Sequence, residues 1–177
     1  MRFVPAGNVV LVGFMGAGKS ACGRLLARRL GRCFVETDDV IVARDGRSIP
    51  EIFRQDGEPA FRRFEAEALE ALRLKADDVI ATGGGLPCHE GRMDVLRELG
   101  TVVWLRGELD EVLARARRSG NRPMLDGRSP EEIAALYRGR EAFYARAHVT
   151  VDTAGLGIDQ VVARILAALR ERHAARV

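Results

Sequence analysis

Lys19 is one of only two lysines in a 177-residue chain that carries 28 lysines and arginines. It stands in Gly13-Phe14-Met15-Gly16-Ala17-Gly18-Lys19-Ser20, which fits the pattern G-x-x-x-x-G-K-[ST]. An apolar run, Val9–Val12, precedes this segment and an amphipathic stretch follows it, the context a phosphate-cradling loop requires. Glycines let successive backbone N–H groups turn inward around a polyphosphate, and the helix that follows adds its positive end. Gly16, Ala17, Gly18, Lys19, Ser20 and Ala21 are the candidate phosphate contacts. Lys19 would place a point charge on the outer phosphates, and the Ser20 hydroxyl could ligate Mg²⁺. Gly16-x-Gly18-x-x-Ala21 also fits a dinucleotide fingerprint, with Glu36 near the position of a ribose-binding acid. That fingerprint places its first glycine directly after the strand, whereas here Gly13-Phe14-Met15 intervenes, and it has no use for a lysine in the turn.

Other residues point to the same kind of site. Glu36-x-Asp38 closes a second apolar run, so two carboxylates could serve Mg²⁺ (through water) and a substrate hydroxyl. Taken alone, the pair reads first as helix capping by Asp38 or Asp39. Thr82-Gly83-Gly84-Gly85 has more glycine than a turn needs, which suggests either close approach of backbone to a ligand or a flexible connection. Arg62 and Arg63 precede Glu65, three residues beyond Arg62, so an i,i+3 pair could hold a guanidinium. Arg140 lies in Tyr137-x-x-Arg140-x-x-x-Tyr144. From spacing alone each arginine reads as a solvated surface residue. Ser119 to Gly127 is rich in turn residues around Arg122-Pro123 and reads as a plain connection or a lid.

These residues need elements to position them. Strands are expected at Val9–Val12, Cys33–Glu36, Val79–Thr82, Thr101–Leu105 and Val149–Asp152. Helices are expected near 19–30, 37–44, 58–75, 89–98, 108–118, 130–146 and 157–173. In the last of these, Ile158, Val161, Val162, Ile165, Leu166 and Leu169 share one face. Strands alternating with helices imply an α/β fold with a parallel sheet, which binds ligands beyond the carboxyl ends of its strands. The loop, the acidic pair and the glycine triplet follow three successive strands, so they should converge on one edge.

Composition agrees. The chain is 47% hydrophobic and 30% charged, enough for one domain with a full core. No apolar run approaches the roughly 18 residues of a membrane span, and the apolar start lacks a signal-peptide cleavage site. The net charge of +3 is mild and spread out, which gives no sign of a nucleic-acid partner. Cys22, Cys33 and Cys88 form no framework and read as reduced thiols in the cytoplasm. Cys88-His89 lacks the further ligands of a zinc site.

In this order, the residues resemble the shikimate kinase family over nearly the whole chain. The resemblance runs through Gly13 to Ser20, Asp38, Gly46-Arg47-Ser48-Ile49, Ile52-Phe53, Asp56-Gly57-Glu58 and Phe61-Arg62-Arg63-x-Glu65. It continues through Gly83-Gly84-Gly85, Arg122-Pro123-x-Leu125 and Arg140 before Tyr144. It implies a P-loop NTPase fold of the nucleoside-monophosphate-kinase type, with five parallel strands sandwiched by helices. The single domain would span 1–177, with a substrate-binding helical segment at about 37–65 and a lid at about 118–128. The implied reaction moves a phosphoryl group from ATP, with Mg²⁺, to the 3-hydroxyl of shikimate, in a cytoplasmic monomer. Asp38 would accept or orient the hydroxyl proton. Arg62, Arg140 and the backbone of Gly83, Gly84 and Gly85 would hold the substrate, with Phe53 and Phe61 as its apolar wall. Lys19 and Arg122 would stabilise charge on the transferring group, and Arg115 would lie near the adenine. Mg²⁺ would sit by Ser20 and Glu36. The chain departs from the family pattern at Ala21 (commonly Thr), Glu36 (usually Asp), Met124 (usually Leu) and Ala142 (usually Pro). Retained arginines favour a carboxylate acceptor, which leaves aminoshikimate or gluconate as alternative substrates and a non-catalytic nucleotide-binding module as an alternative class.

Overall fold

The computed structural model describes residues 5–118 and 127–175, without the side chains of 116–118. Asn8–Val12 forms β1, and every residue of it is buried. A strand buried on both faces belongs at the centre of a parallel sheet covered by helices on each side. The sheet has five strands in the order β2-β3-β1-β4-β5, all parallel. Here β2 is Phe34–Glu36, β3 Val79–Ala81, β4 Gly100–Arg106 and β5 Val149–Asp152. Leu11 pairs with Ala81 and Val12 with Trp104, so the chain leaves β1 between the ends of β3 and β4. At the other end of β1, buried Asn8 stitches the sheet together. Its Nδ2 donates to the carbonyls of Lys75 and Leu99 (both 3.0 Å), and its Oδ1 accepts from Asp78 N (2.9 Å).

Among the described residues, seven α-helices follow the expected order. These are α1 (Lys19–Leu30), α2 (Thr37–Asp45), α3 (Ile49–Leu72), α4 (Arg92–Leu99), α5 (Leu109–Arg118), α6 (Pro130–Tyr144) and α7 (Ile158–Ala174). α3 is longer than expected because it is two helices joined at Gly57, whose φ of 76° and ψ of 178° lie outside the helical region. Its first half was concealed by Gly46, Pro50 and Gly57, all helix breakers in isolation. The missed signal is a capping box: the Glu51 carboxylate accepts from Ser48 N at 2.8 Å, with Pro50 in the first turn. α4 starts three residues later than expected, behind Gly91 in the left-handed conformation, and a 3₁₀ turn occupies Leu86–Cys88.

Two apolar clusters result. The larger surrounds the sheet, from Val9–Val12 to Val161, Ile165 and Leu169. The smaller joins α2 to α3 through Ile41, Ile52, Phe61 and Ala68, with Phe53 and Phe64 against it. The segment at 37–65 therefore carries its own small core. Among the described residues no helix is long and apolar enough to cross a membrane.

Candidate active site

The loop from Gly13 to Gly18 is shaped by its glycines. Gly13, Gly16 and Gly18 have φ of 146°, 80° and 89°. A Cβ on Gly13 would lie 2.7 Å from the Leu105 carbonyl of β4, so only glycine fits there. The Lys19 ammonium bonds the carbonyls of Gly13 (2.8 Å) and Phe14 (2.9 Å), which folds its charge across the loop. This is a phosphate loop arched over its own lysine, not the tight turn of a dinucleotide fold. A cavity of about 450 Å³ opens above it. The walls include the loop and the start of α1 (Ala21 among them), Glu36, Asp38, Gly84, Arg115 and Leu156. Arg115 is paired with Glu111 at 3.0 Å. Burial pushes the Cys22 thiol up to about 11, against the pull of nearby Arg115, and burial likewise raises Cys88. Neither is an activated nucleophile.

Ser20 Oγ donates to Glu36 Oε1, and Arg24 Nη2 bonds Glu36 Oε2 at 2.8 Å. The hydroxyl and the carboxylate are hard oxygen donors side by side at the end of the phosphate loop, the donor set Mg²⁺ prefers. Asp38 does not cap α2. The cap position is Glu36, with no side-chain bond, and Asp38 and Asp39 sit in the first turn. From there Asp38 reaches the glycine triplet: a Cβ on Gly83 would lie 2.9 Å from Asp38 Oδ1 and 3.7 Å from Glu65 Oε1.

The triplet is the junction of the site. Gly83 N donates to Thr37 Oγ1 at 3.0 Å, so this donor is committed to the fold, while Gly83 itself lines the cavity beside Gly84 and Asp38. A Cβ on Gly84 would lie 3.3 Å from Met15 N. One on Gly85 would lie 3.2 Å from Arg140 Nη2 and 3.3 Å from Arg62 Nη1. Two guanidinium forks thus meet at Gly85, brought there by α3 and α6. Both arginines are drawn off the surface where spacing alone left them, while Arg63 is exposed. Arg62 is held by Glu65 (2.8 Å) and Glu58 (2.6 Å). Glu65 is only 2% exposed, and burial raises its carboxyl above the ordinary range, with Arg62 opposing and Asp38 adding to the rise. Arg140 is 7% exposed and lies over Phe14, 5.5 Å from the ring centroid. Its Nη1 is buried and has no hydrogen-bond partner among the described residues. A buried charged donor without a partner is costly, and a carboxylate matches its planar fork. Phe53 and Phe61 pack against each other at 4.7 Å beside Arg62, whose guanidinium is 5.4 Å from the Phe61 ring.

Arg122 and Met124 lie outside the described residues, as does most of the segment expected as a lid. Ala142 is exposed on α6, where it leaves the helix unbroken. Sequence reasoning gave no role to Thr37, Glu58 or Tyr144, nor to the β5–α7 loop that walls the cavity through Thr153, Leu156 and Gly157. For that loop a signal existed: two glycines, Gly155 and Gly157, directly after the last strand.

The shikimate kinase family profile matches residues 15–170. A shikimate kinase of Moorella thermoacetica is 44% identical over 93% of this chain and 95% of its own length. One of Geobacter sulfurreducens is 46% identical over 94% and 92%. The structure of an Acinetobacter baumannii shikimate kinase in complex with shikimate superposes with a TM-score of 0.88 at 36% identity, covering 96% of this chain and 94% of the other. A Sinorhizobium meliloti gluconokinase, 21% identical with a TM-score of 0.58, shares only the fold. By profile, by sequence and by structure, this chain belongs to the shikimate kinase family.

Proposed function

We propose that the chain transfers a phosphoryl group from ATP to the 3-hydroxyl of shikimate, giving shikimate 3-phosphate and ADP. The observation that carries this reading is the meeting of Arg62 and Arg140 at Gly85, one glycine from the phosphate loop and two from Asp38. Two forks facing one point suit a carboxylate, and a carboxylate held there presents the acceptor's hydroxyls toward Asp38. Asp38 takes or orients the hydroxyl proton. Phe53 and Phe61 form the apolar side of the substrate pocket, and the backbone of Gly84 and Gly85 lines its floor. Lys19, with the loop N–H groups, stabilises charge on the transferred group, so positioning and electrostatics supply most of the rate. Arg122 completes this from a lid at about 118–128, and Arg115 lies by the adenine. Ser20 and Glu36 hold Mg²⁺, which neutralises phosphate charge when bound. The segment at about 37–65 binds the acceptor. We read the enzyme as a cytoplasmic monomer. Three sparse cysteines without a disulfide framework suit that compartment.

The test is ADP release by the purified chain with ATP and Mg²⁺, with and without shikimate, beside aminoshikimate and gluconate. Strong stimulation by shikimate is expected. ATP binding with no stimulation by shikimate would overturn the acceptor assignment while leaving the nucleotide site standing.

A further inference from the structure

Tyr144 closes α6 one turn after Arg140, so both side chains leave the same face of the helix. Tyr144 is 1% exposed, with its ring 5.9 Å from that of Trp104. Its hydroxyl donates to the Gly84 carbonyl at 2.6 Å, across 60 residues of sequence. The Cys88 thiol reaches the same carbonyl only at 3.7 Å. Burial holds the tyrosine hydroxyl well above its ordinary titration range, so it stays a donor.

The peptide joining Gly84 to Gly85 is trans, as are all the described peptide bonds. In a trans peptide the carbonyl and the next N–H point in opposite directions. Fixing the Gly84 carbonyl on Tyr144 therefore turns the Gly85 N–H away from that hydroxyl. Neither glycine has a side chain to hold this plane, and glycine is the residue most free to rotate it. Gly85 is also where the two guanidinium forks converge.

We propose that Tyr144 is a positioning residue for acceptor binding: its hydroxyl locks the Gly84–Gly85 peptide so that the Gly85 N–H joins Arg62 and Arg140 around the acceptor's carboxylate. This rests on the acceptor reading given above. It makes α6 a two-point device, in which Arg140 supplies charge and Tyr144 sets the backbone that the charge works beside.

A second tyrosine provides a matched control. Tyr137, on the same helix, donates to the Gly107 carbonyl at 2.7 Å, far from the triplet in sequence and beside a different cavity. Tyr144→Phe and Tyr137→Phe each remove one hydroxyl and one hydrogen bond to a glycine carbonyl, and each keeps its ring. Tyr144→Phe is expected to raise KM for shikimate roughly 5- to 30-fold, the cost of one buried hydrogen bond. Its KM for ATP should stay within about twofold, since the ATP phosphates bind the other loop. Tyr137→Phe should leave both values near wild type. Equal KM for shikimate in the two variants would overturn the proposal.

A second readout needs no substrate. With ¹⁵N-glycine labelling of the free protein, the Gly85 amide should shift or broaden in Tyr144→Phe and stay in place in Tyr137→Phe. An unmoved Gly85 amide in Tyr144→Phe would overturn the locking role even if shikimate proved not to be the acceptor. Conversely, wild-type protein inert toward shikimate with a moved Gly85 amide would sink the acceptor reading and keep the lock.

Discussion

The two halves of the site are built in different ways. The nucleotide half centres on one continuous stretch, Gly13 to Ser20, at the end of a fully buried strand. Its phosphate cradle is made mostly of backbone, and the cation within the cradle, Lys19, rests on carbonyls of its own loop. The acceptor half takes side chains from α2, α3 and α6 and one glycine turn after β3. Of its two cations, Arg62 is held by the carboxylates of Glu58 and Glu65, while Arg140 lies over the Phe14 ring. Its α2 and α3 part hangs on the smaller core of Ile41, Ile52, Phe61 and Ala68, whereas α6 and the glycine turn pack on the core of the sheet. A backbone cradle recognises any polyphosphate, which suits a common co-substrate. Side chains gathered from separate elements recognise one shape, which suits the acceptor. Specificity therefore resides in the half gathered from separate elements.

The sharpest way to break this contrast is at Asp38, the acceptor-side residue beside the transfer point. Asp38→Asn keeps shape and burial but removes the base. Turnover should fall roughly 10²- to 10⁴-fold, with ATP binding and circular dichroism unchanged. Turnover within a few-fold of wild type would remove Asp38 from its role. Next in size is Arg62→Lys. An ammonium keeps the charge but cannot make the planar fork, and hydrogen bonds to charged groups are worth about 1.5–3 kcal/mol. KM for shikimate should rise roughly 10- to 100-fold while KM for ATP stays put. A parallel rise in both would mean that the halves are not separable.

The contrast also explains what could be read before the fold was known. The nucleotide half was legible because its residues are contiguous and its glycines have a stated backbone reason. The parallel sheet was legible from short apolar runs set between helical periods. The acceptor half was not legible from spacing. Arg62 and Arg140 are 78 positions apart in the numbering; locally Arg62 is marked only by its i,i+3 pair with Glu65, which the fold makes at 2.8 Å, and nothing marks Arg140. Only resemblance to a family singled them out. The first half of α3 hides among helix breakers in the residue pattern and is covered only by the helical segment the resemblance implies at about 37–65. Two details escaped both routes: Thr37 claims the Gly83 N–H, and Tyr144 claims the Gly84 carbonyl. Each depends on contacts made only after the sheet has brought distant segments together.

Glu65 sharpens the comparison through pH. Burial raises its carboxyl above the glutamate value, so the folded state holds this proton more tightly than the unfolded chain. Its contribution to stability is therefore fullest below the unfolded pKa and is lost as pH rises through the folded one. Glu65→Gln removes that titration. The stability of the variant relative to wild type should climb from about pH 4.5 upward and level off once Glu65 is ionised in the fold. The slope should be no more than about 1.4 kcal/mol per pH unit. Urea unfolding across a pH series measures it. Parallel wild-type and variant profiles would show that Arg62 cancels the cost of burial, making this carboxylate a neutral support for the arginine.

The smallest effect is expected on the nucleotide side, at Arg24. This residue binds Glu36 Oε2 while Ser20 binds Oε1, and its guanidinium stacks 4.7 Å from the Phe34 ring. Gly23 permits the stack, since a Cβ there would collide with Phe34 at 2.4 Å. The guanidinium neutralises the carboxylate we assign to Mg²⁺, so its removal should favour the divalent ion. Arg24 is exposed, however, and exposed pairs are worth at most about 1 kcal/mol. Arg24→Ala should therefore lower the Mg²⁺ concentration needed for half-maximal ADP binding only about two- to fivefold, read by calorimetry at low salt. Added salt should shrink the difference, because an exposed ion pair is weakened by screening. If the variant instead needs more Mg²⁺, Arg24 is orienting Glu36 rather than competing for it. The nucleotide half would then depend on a gathered side chain just as the acceptor half does, and the division between the two would be one of degree.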